Sequence, residues 1–225
     1  MSAMPQRPRQ LALALEHTES YAREDFMVGS CNELAFELVG AWPDWPANAL
    51  ALVGPERSGK THLAMIWASM AGARIISARS LRDADVPSAL ATGALVVEDA
   101  ADGADDRVLL HLINLAREDN AALLFTALKP PPTWPVAIPD LLSRLRALPV
   151  ATLQPPDDAV LRAVIVKLAA DRQLALDESV VAFIATRIER SFAAARAAVV
   201  ALDTEALRQR RAPTRVLAAE ILRSA

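Results

Sequence analysis

The sequence predicts an α/β protein: a five-stranded parallel sheet flanked by helices, followed by a small all-α helical unit. Three observations carry that prediction. The pattern G-x-x-x-x-G-K-[ST], as Gly54, Gly59, Lys60 and Thr61, stands between an apolar run and an apolar-periodic segment. That is the strand, loop and helix setting a phosphate-binding loop needs. Five short apolar runs alternate with segments of helical period, which argues for parallel strands joined by helical crossovers. Beyond Gln154-Pro155-Pro156 every pattern is helical.

Composition narrows the class. The 225 residues suit one α/β domain and a helical appendage. With 53% hydrophobic residues and only 7 glycines, the chain reads as helix-rich and globular. A net charge of −3 gives no overall basic field for nucleic acid. A single cysteine, Cys31, excludes an internal disulfide, and three scattered histidines form no ligand cluster. No apolar run approaches 18 residues and no leader pattern opens the chain, so a soluble cytoplasmic protein without membrane contact is expected.

In chain order, residues 1–9 read as a flexible tail. Gln10-Leu11-Ala12-Leu13-Ala14-Leu15 then places leucines at every second position, which suits an extended peptide inserted into a groove or, equally, an edge strand or helix start. A tail over 1–16, an α/β unit over 17–154 and a helical unit over 155–225 are the expected divisions. Phe26, Met27 and Val28 lie just upstream of the loop, where a segment walls a base pocket or packs the core. A helix is expected from Asn32 to Trp42, and Trp42-Pro43-Asp44-Trp45-Pro46 is a proline-punctuated loop.

The first strand ends at Val53. The loop glycines let backbone N–H groups point at phosphate oxygens, and the following helix adds its dipole. Lys60 would reach the terminal phosphates and the Thr61 hydroxyl would ligate Mg²⁺. The loop residues Gly54, Pro55, Glu56, Arg57, Ser58, Gly59, Lys60, Thr61 and His62, with Phe26 and Val28, are therefore the candidate nucleotide contacts. Gly72 caps the loop helix. Ala73–Ala78 is the second strand, and 83–92 is irregular or briefly helical. Ala94–Asp99 is the third strand, ending in Glu98 and Asp99. Carboxylates at that edge hold Mg²⁺ and orient water, Glu98 as the metal candidate and Asp99 as the catalytic one.

Val108–Arg117 reads as a helix, and Ala121–Ala127 as the fourth strand with Thr126 near its exit. Pro139–Arg146 is a short helix carrying Arg144 and Arg146, and Leu148–Leu153 is the fifth strand. Four helices follow: from Asp157 to about Arg172, Asp177 to about Arg190, Ser191 to about Arg208, and one opened by Pro213.

The combination resembles the AAA+ ATPases, and within them the DnaA family of replication initiators. The residues that carry this are Phe26–Asn32 (Phe-Met-Val-Gly-Ser-Cys-Asn), Gly54–Ala64, Leu141–Leu145 (Leu-Leu-Ser-Arg-Leu) and Pro155-Pro156-Asp157. The resemblance covers about residues 10–225 and implies an ADP- or ATP-binding AAA+ module with Mg²⁺. Initiators continue past the lid into a helix-turn-helix DNA-binding domain, and this sequence ends at the lid. Gln10, Leu11, Leu13 and Leu15 resemble the peptide by which bacterial proteins dock on the replicative sliding clamp. Together these imply a negative regulator of the initiator, with the initiator and the clamp as partners, DNA met mainly through the clamp, and a homodimer left open.

Arg144 matches the arginine-finger position, so the resemblance implies a side chain that enters the ATP site of an adjacent initiator. Thr126 falls where such proteins keep a phosphate-sensing side chain. Three departures imply weak intrinsic hydrolysis: Glu98-Asp99 where the family has two aspartates, Ala193 at the sensor-arginine position with Arg196 one turn on as its substitute, and apolar Ala127 and Leu128 after the fourth strand. The alternatives are an AAA+ ATPase that hydrolyses its own ATP to load or remodel a DNA-bound partner, and a protein that uses nucleotide only to fold.

Overall fold

The computed structural model describes Arg23 and residues 26–224. Among them five strands form one parallel sheet: β1 (Ala49–Val53), β2 (Arg74–Ser77), β3 (Ala94–Glu98), β4 (Ala122–Ala127) and β5 (Val150–Thr152), in the order β2-β3-β4-β1-β5. Every residue of β1 and β4 is buried, as continuous apolar runs in the middle of a doubly covered sheet require.

The period-two alternation of each strand divides the core into two layers. Ala51, Val53, Leu95, Val97, Leu123 and Phe125 face one layer. There they meet α3 (Val86–Ala89), α4 (Asp106–Glu118) and α5 (Pro139–Ala147) through residues such as Leu112 and Leu141. Leu50, Leu52, Val96 and Leu124 face the other, against α1 (Glu33–Gly40) and α2 (Lys60–Ala71). There Trp67 of α2 stacks on Trp45 with ring centroids 4.9 Å apart and meets Trp42 edge-on at 6.3 Å. Because all strands run the same way, the ends of β1, β3 and β4 open onto one edge. That is where open α/β sheets place ligands.

Behind the sheet, α6 (Asp158–Asp171), α7 (Glu178–Ala185), α8 (Phe192–Gln209) and α9 (Arg215–Ser224) form a bundle on Leu161, Ile165, Ile184, Val199, Leu202 and Leu217. Asp157 and Ser191 cap α6 and α8, accepting from the N–H groups of Val160 and Ala194. Gly72 ends α2 in the left-handed conformation. Two expectations are corrected here. The second bundle helix stops at Ala185 and not near Arg190, because Ser191 must be extended to cap α8 and the chain turns before it. Pro213 lies ahead of the last helix. Thr214 sits just before α9, its hydroxyl accepting from the Leu217 N–H at 3.4 Å and its carbonyl accepting from the Ala218 N–H at 3.0 Å.

The segment before α1 ties bundle to sheet. Buried Asn32 accepts from the Gly29 N–H and donates to the Met27 carbonyl, both at 2.8 Å. Ser30 Oγ donates to Asp157 Oδ2 at 2.8 Å, and the Gln154 N–H donates to the Cys31 carbonyl at 2.9 Å. A Cβ on Gly29 would stand 2.5 Å from Val160 Cγ2 of α6, so backbone and helix touch directly. Gly29→Ala should therefore lower the free energy of unfolding by about 1–3 kcal/mol, the usual cost of an overpacked contact. Val160→Ala in the same chain should restore most of it. Denaturation of both variants checks this, and a neutral Gly29→Ala would disprove the close contact.

Candidate phosphate-binding site

The loop from β1 to α2 is held tight by its own glycines. A side chain at Gly54 would come within 2.6 Å of the Leu153 carbonyl, so the backbone passes directly over the end of β5. Gly59 takes φ +97°, which reverses the chain into the helix. Arg57 also has positive φ (59°), an uncommon conformation for a residue with a Cβ. As Gly59 has no side chain to cap α2, the first-turn amides carry no side-chain cap, the arrangement that receives anions at helix N-termini.

Lys60 begins that helix and is only 9% exposed. Its Nζ donates to the carbonyls of Gly54 (2.9 Å) and Pro55 (2.7 Å). Burial holds the ammonium below the usual lysine range, opposed by the carboxylates of Asp99 and Glu56. Ser58 Oγ is buried and meets no hydrogen-bond partner. A buried cation folded back on carbonyls, an uncapped helix and an orphan hydroxyl fit a polyphosphate.

Glu98 is half-buried at the end of β3, and exposed Asp99 has φ +54°. The hydroxyl of buried Thr126 accepts from the Asp99 N–H at 3.1 Å, and its carbonyl accepts from the Ala100 N–H at 2.8 Å. Thr126 thus braces the strand end that carries the acids. Thr61 is exposed at the start of α2. Among the described residues no three His, Cys, Asp or Glu side chains gather as a metal site. A Mg²⁺ held by the Thr61 hydroxyl, phosphate oxygens and water, with Glu98 or Asp99 behind, needs no such cluster.

Between loop and bundle lies a cavity of about 260 Å³. Phe26 and Met27 wall one side, with the Phe26 ring fixed by stacking on Phe36 (5.5 Å) and by the edge contact with His62 (5.3 Å). Val164 and Leu168 of α6 and Phe192 of α8 wall the other. Arg57, Gly59, Lys60, Thr61 and His62 form the polar end, and Arg196 enters from α8 beside Ala193. Lys167 and Asp171 of α6 complete the lining, and a slot with apolar walls and several cations suits a nucleoside carrying phosphates.

One candidate is corrected. Val28 is 46% exposed and does not line the cavity, whereas its neighbour Met27 does. Gly54, Pro55, Glu56 and Ser58 shape the loop without lining the slot, and Glu98 and Asp99 do not line it either. Arg144 lies on α5, outside the cavity, with Nε and Nη2 each 3.3 Å from Asp140 Oδ2 one turn back. The peptide Gln10, Leu11, Leu13 and Leu15 lies outside the described residues. Sequence reasoning missed Phe192, hidden behind its cap residue, and the ion pair between Arg57 and Glu189, which joins the loop to the α7–α8 turn. No local signal links residues so far apart in the chain. Among the described residues no helix is long and apolar enough to cross a membrane.

The sheet order, the loop and the helical lid make up an α/β fold of the P-loop kind, with a parallel five-stranded sheet and a small helical unit after it. No protein-family model matches the chain, and no curated protein matches it. Among solved structures it is similar to domain III of the Thermotoga maritima replication initiation protein DnaA, with TM-score 0.72, 19% identity, and 91% of this chain against 96% of that one. AMPPCP-bound DnaA from Aquifex aeolicus gives TM-score 0.68 at 18% identity, over 81% of this chain and 64% of that one. Thermotoga maritima RuvB gives 0.64 at 18%, over 78% and 61%. Identities this low establish the fold.

The lowered pKa of Lys60 has a signed consequence. The folded state releases its proton below the ordinary value of 10.5, so the unfolded chain binds more protons in the interval between and stability rises with pH there. The ligand-free protein should thus gain stability relative to Lys60→Met as pH climbs toward 10.5. Parallel pH profiles of unfolding for the two chains would contradict the burial of that charge.

Proposed function

We propose that the chain binds ADP or ATP in this cavity and acts as a regulator of the Hda type, stimulating hydrolysis of ATP on the DnaA initiator. The observation that carries the nucleotide reading is the buried Lys60 ammonium at the uncapped start of α2, beside an apolar slot. The AMPPCP carried by the similar Aquifex aeolicus DnaA supports it. Phe26, Met27 and Phe192 would enclose the base. Lys60 and the amides before it would hold the β- and γ-phosphates, and Thr61 with Glu98 would hold Mg²⁺.

Weak turnover at the chain's own site fits the side chains present. Ala193 offers no charge to a γ-phosphate, and Arg196 reaches the cavity from one turn further along α8. Asp99 is exposed, where bulk water competes for the role of positioning a nucleophile. Nucleotide would then act chiefly as a clamp between loop and lid.

Arg144 is suited to act on a neighbour. It stands on α5, outside its own slot, and among the described residues its one ion pair is the long i,i+4 contact with Asp140, worth under about 1 kcal/mol. Breaking that pair to reach a γ-phosphate on an adjacent initiator is easily offset, and an arginine supplied in trans accelerates hydrolysis by about 10³–10⁵. Gln10 to Leu15 would hold the protein on the DNA-loaded sliding clamp.

The test is single-turnover hydrolysis of ATP preloaded on DnaA, with this protein and DNA-loaded clamp added singly and together. Acceleration is expected only with both, and should vanish in Arg144→Ala and in a Gln10→Ala/Leu15→Ala double variant. No acceleration in any combination would remove the regulatory reading and leave the nucleotide site standing. The likeness to RuvB, described as a branch migration motor, favours the second reading, an ATPase that remodels a DNA-bound partner. Steady-state turnover by the isolated chain, lost in Lys60→Ala and Asp99→Asn, would select it.

A further inference from the structure

Opposite in charge to the molecule as a whole is one corner of the lid, where α7 ends, α8 ends and α9 begins. From Ala206 to Ala219 the chain holds Arg208, Arg210, Arg211 and Arg215 and no acidic residue, in a protein of net charge −3. Arg187, just after α7, joins them in space. Its guanidinium centre lies 3.8 Å from the Phe183 ring centroid, and that of Arg215 lies 4.9 Å from the same centroid. One ring therefore fixes two cations against their mutual repulsion.

Carboxylates leave this corner uncompensated. Glu205 pairs with Arg208, while Glu189 and Asp158 pair with Arg57 and Arg190 on the cavity side. Among the described residues no ion pair with an acid joins Arg187, Arg210, Arg211 or Arg215. Arg187 donates to the Phe183 carbonyl and the Thr186 hydroxyl, and Arg211 to the Gln209 amide. Arg210 ends α8 with φ +52°, the position where glycine carries less strain. A strained cation kept among unpaired cations points to a ligand that rewards the charge.

We infer that this corner is a docking surface for the phosphodiester backbone of nucleic acid. Exposed guanidinium forks gathered at the ends of three helices suit phosphates, which need charge and no apolar groove. Of the apolar residues in this stretch, Leu217 and Ala218 are buried in the lid core while Leu207 and Val216 are exposed, so the arginines outnumber the apolar groups that the corner offers. The surface is independent of the regulatory reading and lies outside the cavity.

The test is fluorescence anisotropy of the full chain with labelled duplex and single-stranded probes of arbitrary sequence across a salt series. Binding should weaken as salt rises, with a log–log slope lowered by about 1 for each arginine removed. The triple variant Arg187→Gln/Arg210→Gly/Arg211→Gln should lose roughly tenfold or more in affinity at about 50 mM salt. It should bind ADP as the parent does, and Arg210→Gly alone should fold at least as stably. Unchanged affinity in the triple variant overturns the assignment, as does the absence of binding to either probe at low salt. Stronger retention on phosphatidylserine vesicles or polyglutamate than on DNA of equal charge, lost in the triple variant, would overturn it in favour of a lipid or acidic-protein partner.

Discussion

A desolvated ammonium sets the terms of this structure. Lys60 is buried at the start of a helix whose first-turn amides no side chain caps, so positive potential accumulates at one point on the sheet edge. Holding it there takes the fully buried β1 and β4, the close pass of Gly54 over Leu153 and the turn at Gly59. The loop carbonyls of Gly54 and Pro55 and the nearby charge of Asp99 partly satisfy it. An anion would satisfy it more fully, which is why the rest of the site reads as a receptacle for phosphate.

The second dependence is mechanical. The slot needs the lid over the loop, and among the described residues thin connections hold it there, with Met27 packed on the lid core. Asn32 locks the turn carrying Phe26 and Met27, Ser30 reaches the cap of α6 at Asp157, and Gly29 admits Val160. Arg57 adds a further link to Glu189, exposed and thus weak on its own. Where a few contacts connect two well-packed bodies, a ligand touching both gains leverage over their relative position. Residues on the loop and on α6 and α8 all face the cavity, so a bound nucleotide would touch both.

The surface divides its cations by company. Arg144 has an acid one turn away, and Arg190 and Arg208 have partners too. At the corner of α7, α8 and α9, Arg187 and Arg215 share the Phe183 ring and Arg210 holds a strained cap, with no ion pair among the described residues. Arginines that look alike in the sequence are thus in different electrostatic situations.

The sequence by itself determined the strands, the loop and the bundle. Continuous apolar runs can only be central parallel strands, glycine spacing sets the loop, and Asp157 and Ser191 announce their helices. It also named Lys60, Thr61, Phe26 and Arg196, since these follow from position beside the loop or from family pattern. It offered Phe26, Met27 and Val28 together, and of these Val28 turns out exposed and outside the cavity, since which neighbours line a pocket depends on the walls opposite. It placed Pro213 inside a helix that Thr214 precedes and ran α7 past Ala185, since helix ends are settled by competing caps. Only the tertiary structure decided that Phe192, Val164 and Leu168 share a slot with Lys60, that Arg57 meets Glu189 and that Arg187 joins Arg215 on one ring. Those contacts join residues tens of positions apart, and their energies come from packing and desolvation, which no local pattern records.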